Sequence, residues 1–196
     1  MQVGIMGDME KNKKMKPNDA YKWINPKELT ETNLPVIIFE EDRQGLFGWL
    51  IRWHDKDNYN HIEIMVNLGK VASQNPKGYK EVPLEKYMLK RVFMKFWQFD
   101  PIDRKEIDII KEQVGKDLAK PWWARRYDFL GIIGQAIGLR WIQSPWGKFC
   151  SESVAANLRL IPRLRDIIPK RPNPSELNKI LKTMPDMKLL GYYWEE

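Results

Sequence analysis

Between His61 and Leu84 the chain reads as three short strands separated by two tight turns, and this spacing constrains the fold more than any other feature. "HIEIMV" alternates strictly, with Ile62, Ile64 and Val66 on one face and His61, Glu63 and Met65 on the other. "NLGK" is a turn signal, "VASQ" a short strand, "NPKG" a second turn and "YKEVPL" a third strand. Upstream, "LPVIIFEED" is a β-rich run entered through Pro35. Downstream, "KRVFMKFW" opposes Arg91, Phe93 and Lys95 to Val92, Met94 and Phe96. Strands at this spacing predict a meandering antiparallel sheet.

The period changes after Asp103. "DPIDRKEIDIIKEQVGKDLA" predicts a helix with Asp103 as N-cap, a stripe of Ile107, Ile110, Val114 and Leu118, and an end at Pro121. "QGLFGWLIRW" is apolar at near-helical spacing. "YDFLGIIGQAIGL" predicts a helix capped by Asp128, with Gly131, Gly134 and Gly138 on nearly one side. "CSESVAANLRL" predicts another, starting at or just before Cys150, and "RPNPSELNKIL" a last one capped by Asn173 or Ser175. The expected class is α+β. A basic, flexible arm is expected over residues 1–30, one domain over 31–185 and a tail over 186–196.

Composition removes several classes. The chain has 196 residues, 43% hydrophobic, with nine Trp, which suffices for a packed core. One cysteine allows no internal disulfide and no Cys-rich zinc site. The two histidines, His54 and His61, form no HExxH motif, and no acidic cluster completes a ligand set, so neither metal nor other cofactor is expected. The net charge of +7 concentrates at Lys11, Lys13, Lys14 and Lys16 and between Arg159 and Arg171. An anionic surface is the expected partner of the arm. Specific nucleic-acid binding is not expected, because no RNP, zinc or helix-turn-helix signature accompanies the charge. No run reaches transmembrane length and the N-terminus carries no signal-peptide pattern, which predicts a cytoplasmic protein.

The remaining chemistry lies in "KFCSES". A cysteine at a helix start meets unpaired N–H groups and the positive end of the helix dipole, which favour thiolate over thiol. The same N–H groups can hold a developing oxyanion. A thiolate nucleophile works best beside an imidazole oriented by a polar group. His61 opens a strand and His54 lies in a polar turn, so His61 is the better-fixed base. From the residues alone, a buried structural cysteine and a satisfied histidine are the more common explanation. Glu152 reads as a first-turn acid capping the helix.

The blocks "YNHIEIMV", "VASQNPKGYKEVPLEKYMLKRV", "PWWARRYDFLG", "KFCSESVAANL" and "NPSEL", in that order, resemble the circularly permuted branch of the NlpC-type papain-like family, to which lecithin retinol acyltransferase-like proteins are related in topology. The resemblance covers roughly residues 34 to 180. It implies a permuted papain-like fold: a small antiparallel sheet against helices, with a Cys–His–polar triad in a groove. Cys150 would be the nucleophile and His61 the general base. Tyr59 would line the cleft or assist the oxyanion. Gln74 falls where relatives carry a third residue, Ser73 takes that place after a one-residue register change, and Glu63 is a substitute orienter or substrate contact. Relatives often have Gly where this chain has Glu63. The resemblance implies a cysteine peptidase or amidase cleaving an amide or ester, with cell-wall peptides and acyl compounds among family substrates; a wall-cleaving role without a leader would need another delivery route, as in a phage. Acyl transfer and a non-catalytic binding role for the same fold are the alternatives.

Overall fold

The alternation read in "HIEIMV" divides two apolar layers. A computed structural model describes residues 21–42, 59–88, 92–128 and 148–194. Within them the class is α+β, with six strands in one antiparallel sheet and four α-helices. The strands are β1 (Val36–Asp42), β2 (His61–Asn67), β3 (Lys70–Asn75), β4 (Gly78–Pro83), β5 (Val92–Phe99) and β6 (Met187–Trp194). The α-helices are α1 (Leu84–Met88), α2 (Arg104–Ala119), α3 (Cys150–Leu158) and α4 (Pro174–Thr183).

On one face of the sheet Ile37, Phe39, Ile62, Ile64 and Val66 pack against Ile110 and Val114 of α2, Val154 and Leu158 of α3 and Leu177 and Leu181 of α4. On the other, Val36, Ile38, Met65, Met94 and Phe96 meet Leu34, Leu84, Tyr87 and Met88. Burial of these side chains contributes roughly 1.5–3 kcal/mol each before chain entropy opposes it. The helix boundaries follow the caps. Asp103 accepts a hydrogen bond from the Lys105 amide at 3.0 Å, and Asn173 accepts one from Glu176 at 2.6 Å with Pro174 opening α4.

The strand order is β4-β3-β2-β1-β5-β6, which corrects the simple meander. β2, β3 and β4 do follow one another across tight turns. β5 instead returns through α1 to the far side of β1, pairing Ile38 with Phe96, because both strands are apolar on two faces and belong in the middle of the sheet.

The segment expected as a tail is β6, the outer strand beside β5. Its aromatic residues find partners there: the Tyr192 ring stacks on Phe93 at 5.4 Å. Residues 21–24, expected as arm, pair in turn with β6, with the Ile24 amide donating to Tyr192 O at 2.9 Å and the Tyr192 amide to Lys22 O at 2.8 Å. Gly191 makes this close approach feasible. A Cβ there would sit 2.5 Å from Lys22 O.

The apolar run at 44–53, His54 and nearly all of the glycine-spaced helix expected after Asp128 lie outside the described residues. Among the described residues no helix is long and apolar enough to cross a membrane.

Candidate active site

Cys150 is the first residue of α3 and is buried. The chain enters extended at Phe149, whose side chain cannot cap. Glu152 fills that role from within the helix, its Oε2 accepting from the Phe149 amide at 3.4 Å. Burial pushes the Glu152 carboxyl up to about 7, against the Phe149 N–H and the Arg171 guanidinium, which favour its charged form. Ser151 Oγ donates to Pro172 O at 2.6 Å and ties the first turn of α3 to the approach to α4.

His61 opens β2. Its Nε2 lies 3.1 Å from Glu63 Oε1 and 3.0 Å from Ser73 Oγ. Glu63 is two residues along the same strand and fully buried, so the pleat delivers it to the His61 face. The pairing of Ile64 with Ala72 sets Ser73 beside it on β3. The same ring is hydrogen-bonded to Cys150. Burial lowers the imidazole pKa. The Cys150 charge, the hydrogen bond to Cys150, and then Glu63 outweigh it and hold His61 well above its ordinary value.

Gln74 does not contact the imidazole, which corrects its expected place as the third residue. Neighbours in a strand point to opposite faces, so Gln74 leaves the ring where Ser73 meets it. Its Nε2 donates instead to Arg125 O and Arg126 O, both at 3.0 Å. Tyr59 packs its ring on Phe39 (5.6 Å) and Phe93 (6.5 Å), with Lys95 Nζ 5.6 Å from its centroid.

Two residues were not singled out from the sequence. Tyr127 is placed by a short parallel bridge to Lys148, in which the Asp128 amide donates to Lys148 O at 3.2 Å and the Lys148 amide to Arg126 O at 3.4 Å. Burial, the Cys150 charge, Asp128 and a hydrogen bond to Cys150 raise the Tyr127 pKa well above its ordinary value, so its hydroxyl stays protonated beside the sulfur. The signal was "YDF", lying between the His and Cys blocks. Glu40 is the second. It pairs directly with His61 across β1 and β2, and the donor atoms of Glu40, His61 and Glu63 lie within 4.8 Å of one another. The expectation that no acidic group completes a ligand set is corrected to that extent: strand pairing assembles one His and two Glu from positions far apart in sequence, around the imidazole that Cys150 also uses.

The elements therefore converge on one cysteine, one imidazole, a buried carboxylate, a serine hydroxyl and a protonated phenol, which together can generate a thiolate, hold an imidazolium and donate to a developing oxyanion. In comparison with known proteins, the chain matches no family model and no curated protein.

Proposed function

We propose that the protein is a cysteine hydrolase of permuted papain-like architecture that cleaves an amide or ester through an acyl-thioester on Cys150. The observation that carries this reading is a cysteine at the first residue of a helix, hydrogen-bonded to an imidazole whose Nε2 lies 3.1 Å from Glu63 Oε1 and 3.0 Å from Ser73 Oγ. The Cys150 sulfur attacks the carbonyl carbon. The Cys150 amide at the helix start and the Tyr127 hydroxyl face the developing oxyanion. His61, protonated in the resting pair, gives its proton to the departing amine or alcohol. Water, deprotonated by His61, then attacks the thioester carbonyl, and collapse releases the carboxylic acid and restores the resting Cys150–His61 pair. Peptide amides, including those of cell walls, and acyl esters are the substrate classes the resemblance brings.

The test is direct. Mixing the protein with a panel of p-nitrophenyl acyl esters, quenching with acid and mapping by mass spectrometry is expected to place a hydroxylamine-labile acyl group on the peptide carrying Cys150. Turnover of an ester with no such adduct, or an adduct on another residue, contradicts the proposal. Product formed only when an amine or alcohol acceptor is added would redirect it to acyl transfer.

A further inference from the structure

Gln74 draws attention to a second feature. By donating to Arg125 O and Arg126 O it clamps the segment before Tyr127 over β3. Gly78 allows the segment to press close, since a Cβ there would lie 2.8 Å from Arg125 O. Between this segment, the end of α2 and the start of α3 is a cavity of about 50 Å³. At roughly 10–15 Å³ for each water, it has room for a few waters or one carboxylate or phosphate group. Lys120, Arg125, Arg126 and Lys148 line it, and among the described residues Asp117 is the sole carboxylate that does. Asp117 is engaged by Lys120. Arg125 Nε is buried with no hydrogen-bond partner among the described residues, a donor without an acceptor. Lys148 and Ser153, also lining the cavity, lie on either side of Cys150 in the chain.

We infer that this cavity is an oxyanion-binding subsite that receives a carboxylate or phosphate carried by the acyl substrate. The inference rests on the hydrolase reading for its purpose, and on the cavity, its excess of cations and the unpartnered Arg125 donor for its chemistry. A guanidinium and an ammonium converging on a small cavity recognise planar or tetrahedral oxyanions through charge-assisted hydrogen bonds. A neutral substrate end would leave the buried Arg125 Nε without an acceptor.

Alkylation of Cys150 reads the subsite, because iodoacetate carries a carboxylate and iodoacetamide does not. The ratio of the iodoacetate to the iodoacetamide rate is expected to fall at least about ten-fold in Lys148→Gln/Arg126→Gln protein, both sites being exposed and tolerant of substitution. Arg163→Gln, whose partners are Glu106 and Asp186 on another face, is expected to keep the wild-type ratio. Inorganic phosphate and glutarate then separate the sources. Competition with iodoacetate by phosphate alone assigns the cavity to phosphoryl groups, by glutarate alone to carboxylates, and by both to oxyanions in general. An unchanged ratio in the double variant, or no competition by either anion, overturns the subsite. If Cys150 resists both alkylating agents, the hydrolase reading fails separately. Titration of tryptophan fluorescence then decides the subsite, because the Arg126 guanidinium lies 4.4 Å from the centroid of the exposed Trp122 ring. A saturable change with phosphate or glutarate that the double variant lacks supports the subsite, and no saturable change overturns it.

Discussion

Cys150→Ala is expected to lower turnover of any ester or amide substrate on the order of 10⁴-fold or more, with the fold retained. Both halves have a physical basis. The sulfur is the atom that forms the new bond, and removing a nucleophile leaves only binding and oxyanion stabilisation to accelerate the reaction. Structurally, alanine keeps the Cβ and removes one buried atom from the layer formed by α3 and β2, a loss of about 1 kcal/mol in packing. Circular dichroism and the denaturant midpoint should therefore change little while progress curves flatten. His61→Ala should cost less, on the order of 10²–10⁴-fold, the usual scale for a positioned acid or base. Residual turnover in Cys150→Ala within ten-fold of the parent would contradict the nucleophile assignment.

Glu63→Gln is expected to lower turnover on the order of 10²-fold, at the low end of that range because Ser73 still holds Nε2. It is also expected to move the alkaline limb of the pH–rate profile to lower pH. Next to Cys150, the Glu63 hydrogen bond and charge are what keep the buried imidazole protonated above its ordinary range. Glutamine retains the shape and removes the charge. The proton needed for the leaving group is then lost at lower pH. Stability should follow the same sign. A group whose folded pKa lies above its unfolded value contributes fully below the unfolded value near 6.5, and that contribution disappears as pH rises through the folded value. The variant should therefore lose stability below that range and converge on the parent at high pH. Ser73→Ala is the discriminating companion. It removes a neutral hydroxyl, so it should reduce rate while leaving the alkaline limb in place. Equal limb shifts in both variants, or no shift in Glu63→Gln, would contradict the electrostatic role of Glu63.

What was legible in the sequence was what depends on local period. The two faces of β2, the strands on either side of it, the cap at Asp103 and the start of α3 at Cys150 all follow from neighbours within a few residues. The strand order was not, because the return of β5 to β1 is decided by which strands are apolar on both faces, a competition across the whole sheet. β6 was hidden for a related reason: an aromatic-rich C-terminal segment reads equally as tail or strand until an edge is available to receive it. At the site the difference between Gln74 and Ser73 was a matter of one residue of register, and register turns on the pairing of Ile64 with Ala72, which a single sequence does not show. Glu63 was readable from alternation alone. Glu40 and Tyr127 were not, since each reaches the imidazole or the sulfur only through pairing with a distant strand or segment.

The proposed chemistry depends on the coupling between Cys150 and His61, and the rate of iodoacetamide alkylation at Cys150, with His61 present and replaced, measures that coupling most directly. The protein is expected to alkylate at least about ten-fold faster at neutral pH than its His61→Ala variant, because an imidazole beside the sulfur favours the reactive thiolate. Equal alkylation rates in the two proteins would contradict it.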